Sequence, residues 1–198
     1  MSASNHPFDL SGGHPALDFV NTLDERPFPG PVETLADYSD LVRFAESTGL
    51  VTPGQARQLR KLAGTDHAPV ARRARELREH VYDVLTALRQ RKKIQPRTLQ
   101  AISAAIREAR AAQVLTVSKD RSMAGYGWSS PHAPEAPLYA CALSIEDLLT
   151  AADRGRIRKC GAEDCEVYFI DRSKGRRRHW CSMMNCGNRE KQRRWRAS

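Results

Sequence analysis

The chain is 198 residues long, 40% hydrophobic and 28% charged, with 32 Lys and Arg against 23 Asp and Glu for a net charge of +9. That length fits one domain, or a moderate domain with a small appendage, and no apolar run approaches the span of a bilayer, so a soluble protein is expected. The positive excess is local: residues 154–198 carry 14 Lys and Arg against 5 Asp and Glu, whereas residues 1–153 carry 18 of each.

From the N-terminus, residues 1–11 lack periodicity and read as a loose arm anchored by Phe8 and Leu10. No basic-then-apolar leader is present, so a reducing, cytoplasmic setting is expected. Residues 12–31 read as turn, short helix, turn, with Pro15 at the first helical position. His14, Asp18 and Asn21 fall at i, i+4 and i+7 of that helix, a polar stripe of the kind that lines a ligand pocket or forms a buried hydrogen-bonding cluster. An amphipathic helix is expected from Val32 to Gly49, then a capping-box helix from Thr52 to Ala63 with Pro53 at N1 and Gln55 at N3. After a break at residues 64–69, Val70, Ala74, Leu77, Val81, Val84, Leu85 and Leu88 mark a longer helix. Its arginine-rich face is interspersed with Glu76, Glu79 and Asp83 and reads as solvated. Pro96 opens a helix that fades near Ala112. Residues 113–130 give the one β-hairpin of the body, and residues 138–153 a last helix with Cys141 buried as an inert thiol. Six helical segments and one hairpin suffice for a single, mainly α core over residues 1–153.

The tail, residues 154–198, has a different logic. Cys160 and Cys165, then Cys181 and Cys186, form two pairs with four-residue spacers and a fifteen-residue insert. Such pairs wrap the two sides of a tetrahedral thiolate zinc site while the insert returns the chain. Two disulfides are the alternative, and a reducing compartment favours the metal. Residues 166–171 read as a strand, Ser173-Lys174-Gly175 as a turn, Arg178-His179-Trp180 as the return, and Asn188 as the cap of a helix over residues 189–196. Knuckle, hairpin, second pair, helix is a treble-clef-like order. His179 is a weaker candidate ligand, because four cysteines already complete the coordination.

Arg176, Arg177 and Arg178 on the hairpin, with Arg189, Lys191, Arg193, Arg194 and Arg196 on the helix, point to a polyanion and mark the nucleic-acid-binding candidates. DNA is the first partner. A structured RNA or ribosomal site, or an acidic protein partner for a zinc-stapled interaction domain, are the alternatives. An enzyme is not expected: no phosphate-cradling Gly loop, nucleophile elbow or His-Glu-x-x-His occurs, and four thiolates leave a zinc no open position.

The run Cys181-Ser182-Met183 followed by Cys186-Gly187-Asn188-Arg189 resembles the CGNR zinc finger of bacterial regulators, with Phe169-Ile170-Asp171 and Ser173 matching its hairpin. The stretch from His14 to Thr22, HPALDFVNT, is similar to the opening signature of the ABATE domain that precedes that finger. The resemblance implies one structural zinc on Cys160, Cys165, Cys181 and Cys186 in a stress-induced transcription regulator of the bacterial cytoplasm. It also implies a sensing role, toward an effector it does not identify, for residues 1–153, with the finger at 154–198; a homodimer is expected only because such regulators commonly pair on two-fold sites. In that family the position before Trp180 is commonly Arg, where this chain has His179, and Gly175 stands where Asn is more usual.

Overall fold

Helix starts in this chain are set by prolines and side-chain caps. In the computed structural model, which describes residues 8–62, 66–117, 124–130 and 133–197, α1 (Pro15–Val20) begins on Pro15 behind His14, whose Nδ1 accepts from the Ala16 N–H. The loose arm at 1–7, the helix end and break at 63–65, the hairpin tip at 118–123 and the loop start at 131–132 lie outside the described residues. A two-residue ladder follows, β1 (Leu23–Asp24) antiparallel to β2 (Val32–Glu33). The helix expected from Val32 therefore starts later, as α2 (Tyr38–Ser47), where Asp37 and Asp40 make a reciprocal capping box. α3 (Pro53–Arg60) has the Thr52/Gln55 box.

α4 (Ala68–Gln90) buries Val70, Ala74, Leu77, Val81, Val84 and Leu85 but leaves Leu88 57% exposed, and it ends on Arg91 in the left-handed conformation instead of on a glycine. Its arginine face is more engaged than a solvated face would be. Arg73 pairs with Glu108 at 2.5 Å, Arg75 donates to the Leu35 and Ala36 carbonyls, and Arg78 is buried beside Glu79. α5 (Pro96–Ala111) leads into the hairpin β3 (Gln113–Val117) and β4 (Ala124–Trp128), paired from Gln113↔Trp128 to Val117↔Ala124. α6 (Ala136–Thr150) buries Cys141, Ala142, Ile145 and Leu148, and burial alone pushes the Cys141 thiol far up, in keeping with an inert packing role.

The tail contains a 3-10 turn (Arg154–Arg156), β5 (Ile157–Lys159), β6 (Tyr168–Ile170), a π-helical turn (Met183–Gly187) and α7 (Asn188–Ala197). The finger hairpin differs from the expected one. β6 pairs with β5, which precedes the first cysteine, so Cys160 and Cys165 sit in the hairpin loop and residues 178–180 form no strand. The whole is mainly α with small two-stranded ladders and a C-terminal treble-clef-like finger.

Contacts divide the chain into Leu35–Asp147, a helical unit, and a second unit made of Met1–Thr34 together with Leu148–Ser198. In this division residues 8–34 group with the finger, whereas composition changes at 153/154. Among the described residues, no helix is long and apolar enough to cross a membrane.

Candidate metal centre and nucleic-acid interface

The four cysteines of the tail converge. Their sulfurs lie within 4.8 Å of one another, with Cys165 to Cys181 at 3.8 Å and Cys181 to Cys186 at 3.5 Å. A tetrahedron built on a Zn–S bond of about 2.3 Å has edges of about 3.8 Å, so the donor set fits one zinc. All five cysteines of the chain are unpaired thiols, which leaves the disulfide alternative without support. As bare thiols the four cannot ionise together. The Cys160 thiol is pushed down because it accepts from Cys165 and Cys181, while Cys165, pushed up to about 12, and Cys181 are raised chiefly by that same sharing and Cys186 chiefly by burial. A divalent cation is what allows four thiolates to coexist at these distances.

The sulfurs have further partners. The Cys181 N–H donates to Cys160 Sγ at 3.4 Å, and Arg189 Nη2 donates to Cys186 Sγ at 3.3 Å. Partners of this kind orient ligands and offset their negative charge. The apolar support is thin: Ala162, Val167 and Phe169 are the buried residues around the cysteines, with Trp180 packed against them. His179 is not among the converging ligands. Its ring lies over Gly161, where a Cβ would stand 2.4 Å from Nε2.

Of the stripe His14, Asp18 and Asn21, only Asn21 meets the finger backbone; Asp18 bonds within the N-terminal segment, and His14 caps α1. The Asn21 side chain donates to the Tyr168 carbonyl and accepts the Tyr168 N–H, both at 2.9 Å, and Asp18 Oδ1 accepts the Gly12 N–H at 2.8 Å. Three consecutive carbonyls are captured by the finger: Ser11 by Arg178, Gly12 by the Ile170 N–H and Gly13 by Arg172. Gly12 has no room for a side chain, since a Cβ there would meet Asp18 Oδ1 at 2.7 Å and Leu17 Cβ at 2.8 Å. The crevice beside Asn21 is about 10 Å³, water-sized at most. Asp18 and Asn21 are thus buried and hydrogen-bonded, and His14 is half-buried at the start of α1. A cavity of about 220 Å³ lies elsewhere, in the helical unit, lined by Tyr38, His67 and Arg75, and the buried Tyr38 hydroxyl bonds nothing among the described residues.

Burial raises the Asp18 carboxyl to about 7, against the Gly12 hydrogen bond that favours its charged form. A carboxyl raised in the folded state binds its proton more tightly when folded. Its contribution is therefore full below about pH 4 and is lost as pH rises through 7. Asp18→Asn keeps the acceptor without the charge. Between pH 5.5 and 8, the stability of the wild type should fall relative to this variant by roughly 1–2 kcal/mol, read as a widening gap between urea midpoints; parallel curves would rule the effect out.

The eight basic candidates separate into two groups. Arg178 stacks over Phe169 at 4.3 Å and donates to the carbonyls of Ser11, Trp180 and Cys181. Arg189 pairs with Asp164 at 2.7 Å, and Arg193 with Asp164, Glu163 and Glu190. Arg176, Arg177, Lys191, Arg194 and Arg196 are exposed and make no side-chain hydrogen bond or ion pair among the described residues. Asp171 holds the turn: it accepts from the Ser173 hydroxyl, the Ser173 N–H and the Arg178 N–H, bonds that lower its carboxyl.

Comparison with known families covers nearly the whole chain. Residues 13–152 match ABATE, described as "Putative stress-induced transcription regulator". Residues 156–198 match the CGNR zinc finger. No curated protein matches the chain.

Proposed function

The chain belongs to the ABATE family of transcription regulators and ends in a CGNR zinc finger, and from that premise we propose that it is a DNA-binding regulator, not an enzyme, in which a structural zinc fixes α7 for contact with duplex DNA. It works in a reducing compartment such as a bacterial cytoplasm, where the four thiols stay available to the metal. The observation that carries this reading is the sorting of the basic residues. Three arginines are engaged in hydrogen bonds or ion pairs within the finger, two of them from exposed positions, whereas five exposed cations on its hairpin turn and helix have no such partner among the described residues.

Salt dependence tests it. Four or five phosphate contacts from the exposed cations give a slope of log K against log salt of about −3.6 to −4.5 per chain, whereas all eight would give about −7. Binding of labelled duplex across a salt series should yield the shallower value, and Arg194→Ala should flatten it by about one further unit. Salt-independent binding would refute the proposal, and tighter binding to structured RNA than to duplex in direct competition would favour the RNA alternative.

A further inference from the structure

Along α7 the side chains at i, i+3, i+4 and i+7 form two opposite stripes. One stripe, continuing from Cys186 in the preceding π-helical turn, is Arg189, Glu190 and Arg193, and each member is engaged within the finger. Cys186 is a metal ligand, Arg189 reaches Asp164 and the Cys186 sulfur, and Arg193 bridges Glu190 and the Glu163-Asp164 knuckle. Counted from Asn188, the other stripe is Asn188, Lys191, Gln192 and Trp195, all exposed, with Trp195 at 87%. Lys191 and Gln192 make no side-chain hydrogen bond or ion pair among the described residues, and Asn188 uses one N–H on the Met184 carbonyl at 3.3 Å, leaving its oxygen unbonded there. Arg194 and Arg196 project to either side of this outer stripe, each about a quarter-turn or more away.

We propose that Asn188, Lys191 and Gln192 are the base-reading residues of the finger, with Arg194 and Arg196 on the flanking phosphates, and that the preferred site is rich in adenine. The inference rests on the DNA reading above and adds its specificity. A carboxamide pairs bidentately with adenine N6 and N7 in the major groove, and lysine prefers guanine O6 and N7. Asn188 and Gln192 are four residues apart, about 6 Å along the helix axis, which is close to two base-pair steps of about 3.4 Å. The two amides therefore read adenines roughly two pairs apart, with Lys191 between them. Because the metal site lies on the opposite side of α7, the helix can enter a groove of about 12 Å with the finger behind it. The arginines, although more numerous, carry no base preference here, because those on the inner stripe never face the groove.

The test is selection of bound duplexes from a random pool by full-length, zinc-loaded protein, followed by Gln192→Ala, Asn188→Ala and Arg194→Ala. Wild type should enrich sites with two adenines in fixed register. Gln192→Ala should lose about tenfold discrimination at one of those positions and Asn188→Ala at the other, whereas Arg194→Ala should weaken all sequences alike with the same preference. Zinc content should stay at one per chain in all three. If duplexes bind but Gln192→Ala and Asn188→Ala select the wild-type motif, the base-reading assignment is wrong while DNA binding stands. If no duplex binds at all, both fall.

Discussion

Cys181→Ser should abolish zinc retention and unfold the unit containing β5, β6 and α7 while leaving the helical unit folded. Structural zinc is worth roughly 10–16 kcal/mol of apparent binding free energy in small fingers. Among the described residues, the buried apolar support in the cluster around the four sulfurs is Ala162, Val167 and Phe169, with Trp180 at the edge, too little apolar area to hold the fold without the metal. The loss should spread beyond the finger, because Gly12, Asp18 and Asn21 are bonded to its strand or to one another. Amide exchange should show this: Ile170 and Tyr168 lose protection together with Gly12, and α2 through α5 keep theirs. Retained protection at Gly12 in the zinc-free variant would separate the N-terminal segment from the metal centre.

Asn21→Leu should destabilise the same unit by about 2–6 kcal/mol, the cost of leaving the buried Tyr168 N–H and carbonyl without their Asn21 partner at about 1–3 kcal/mol each. Asn21 is 6% exposed and Tyr168 2%, so water cannot replace the lost amide. Urea denaturation of the zinc-loaded protein would report a lowered midpoint, and a chelator would strip zinc faster. Gly12→Ala reaches the same contact from the other side, by collision with Asp18 and Leu17. A ligand-pocket residue would behave differently: its replacement would leave the stability of the unliganded protein nearly unchanged. An Asn21→Leu protein as stable as wild type would thus restore the pocket reading.

Much of this arrangement is legible in residue order. The cysteine spacing points to the metal centre, and the prolines and capping boxes place most helix starts, because both are local rules. Two features were lost to their shortness. The β1/β2 ladder is two residues long, and β5 is three, so neither shows an alternation; reading Val32 into a helix followed from that. The docking of Asn21 on Tyr168 joins positions 147 apart, and no periodicity within one sequence encodes which distant backbone a polar stripe will meet. The inner stripe of α7 is another matter. Arg189 and Arg193 stand three and seven residues after Cys186, so the ligand's own orientation puts them on the metal side. Charge alone gives every arginine of the helix the same standing; the phase from Cys186 separates Arg189 and Arg193, which pair with Asp164, from Arg194 and Arg196.

The most direct measurement is duplex binding by metal-stripped protein as zinc is added back. Binding should be absent without metal, rise in proportion to zinc, and saturate at one equivalent per chain, with the fluorescence change of Trp180 following the same course. Stripped protein that binds duplex as tightly as the loaded form would contradict the claim that zinc orders α7 for DNA.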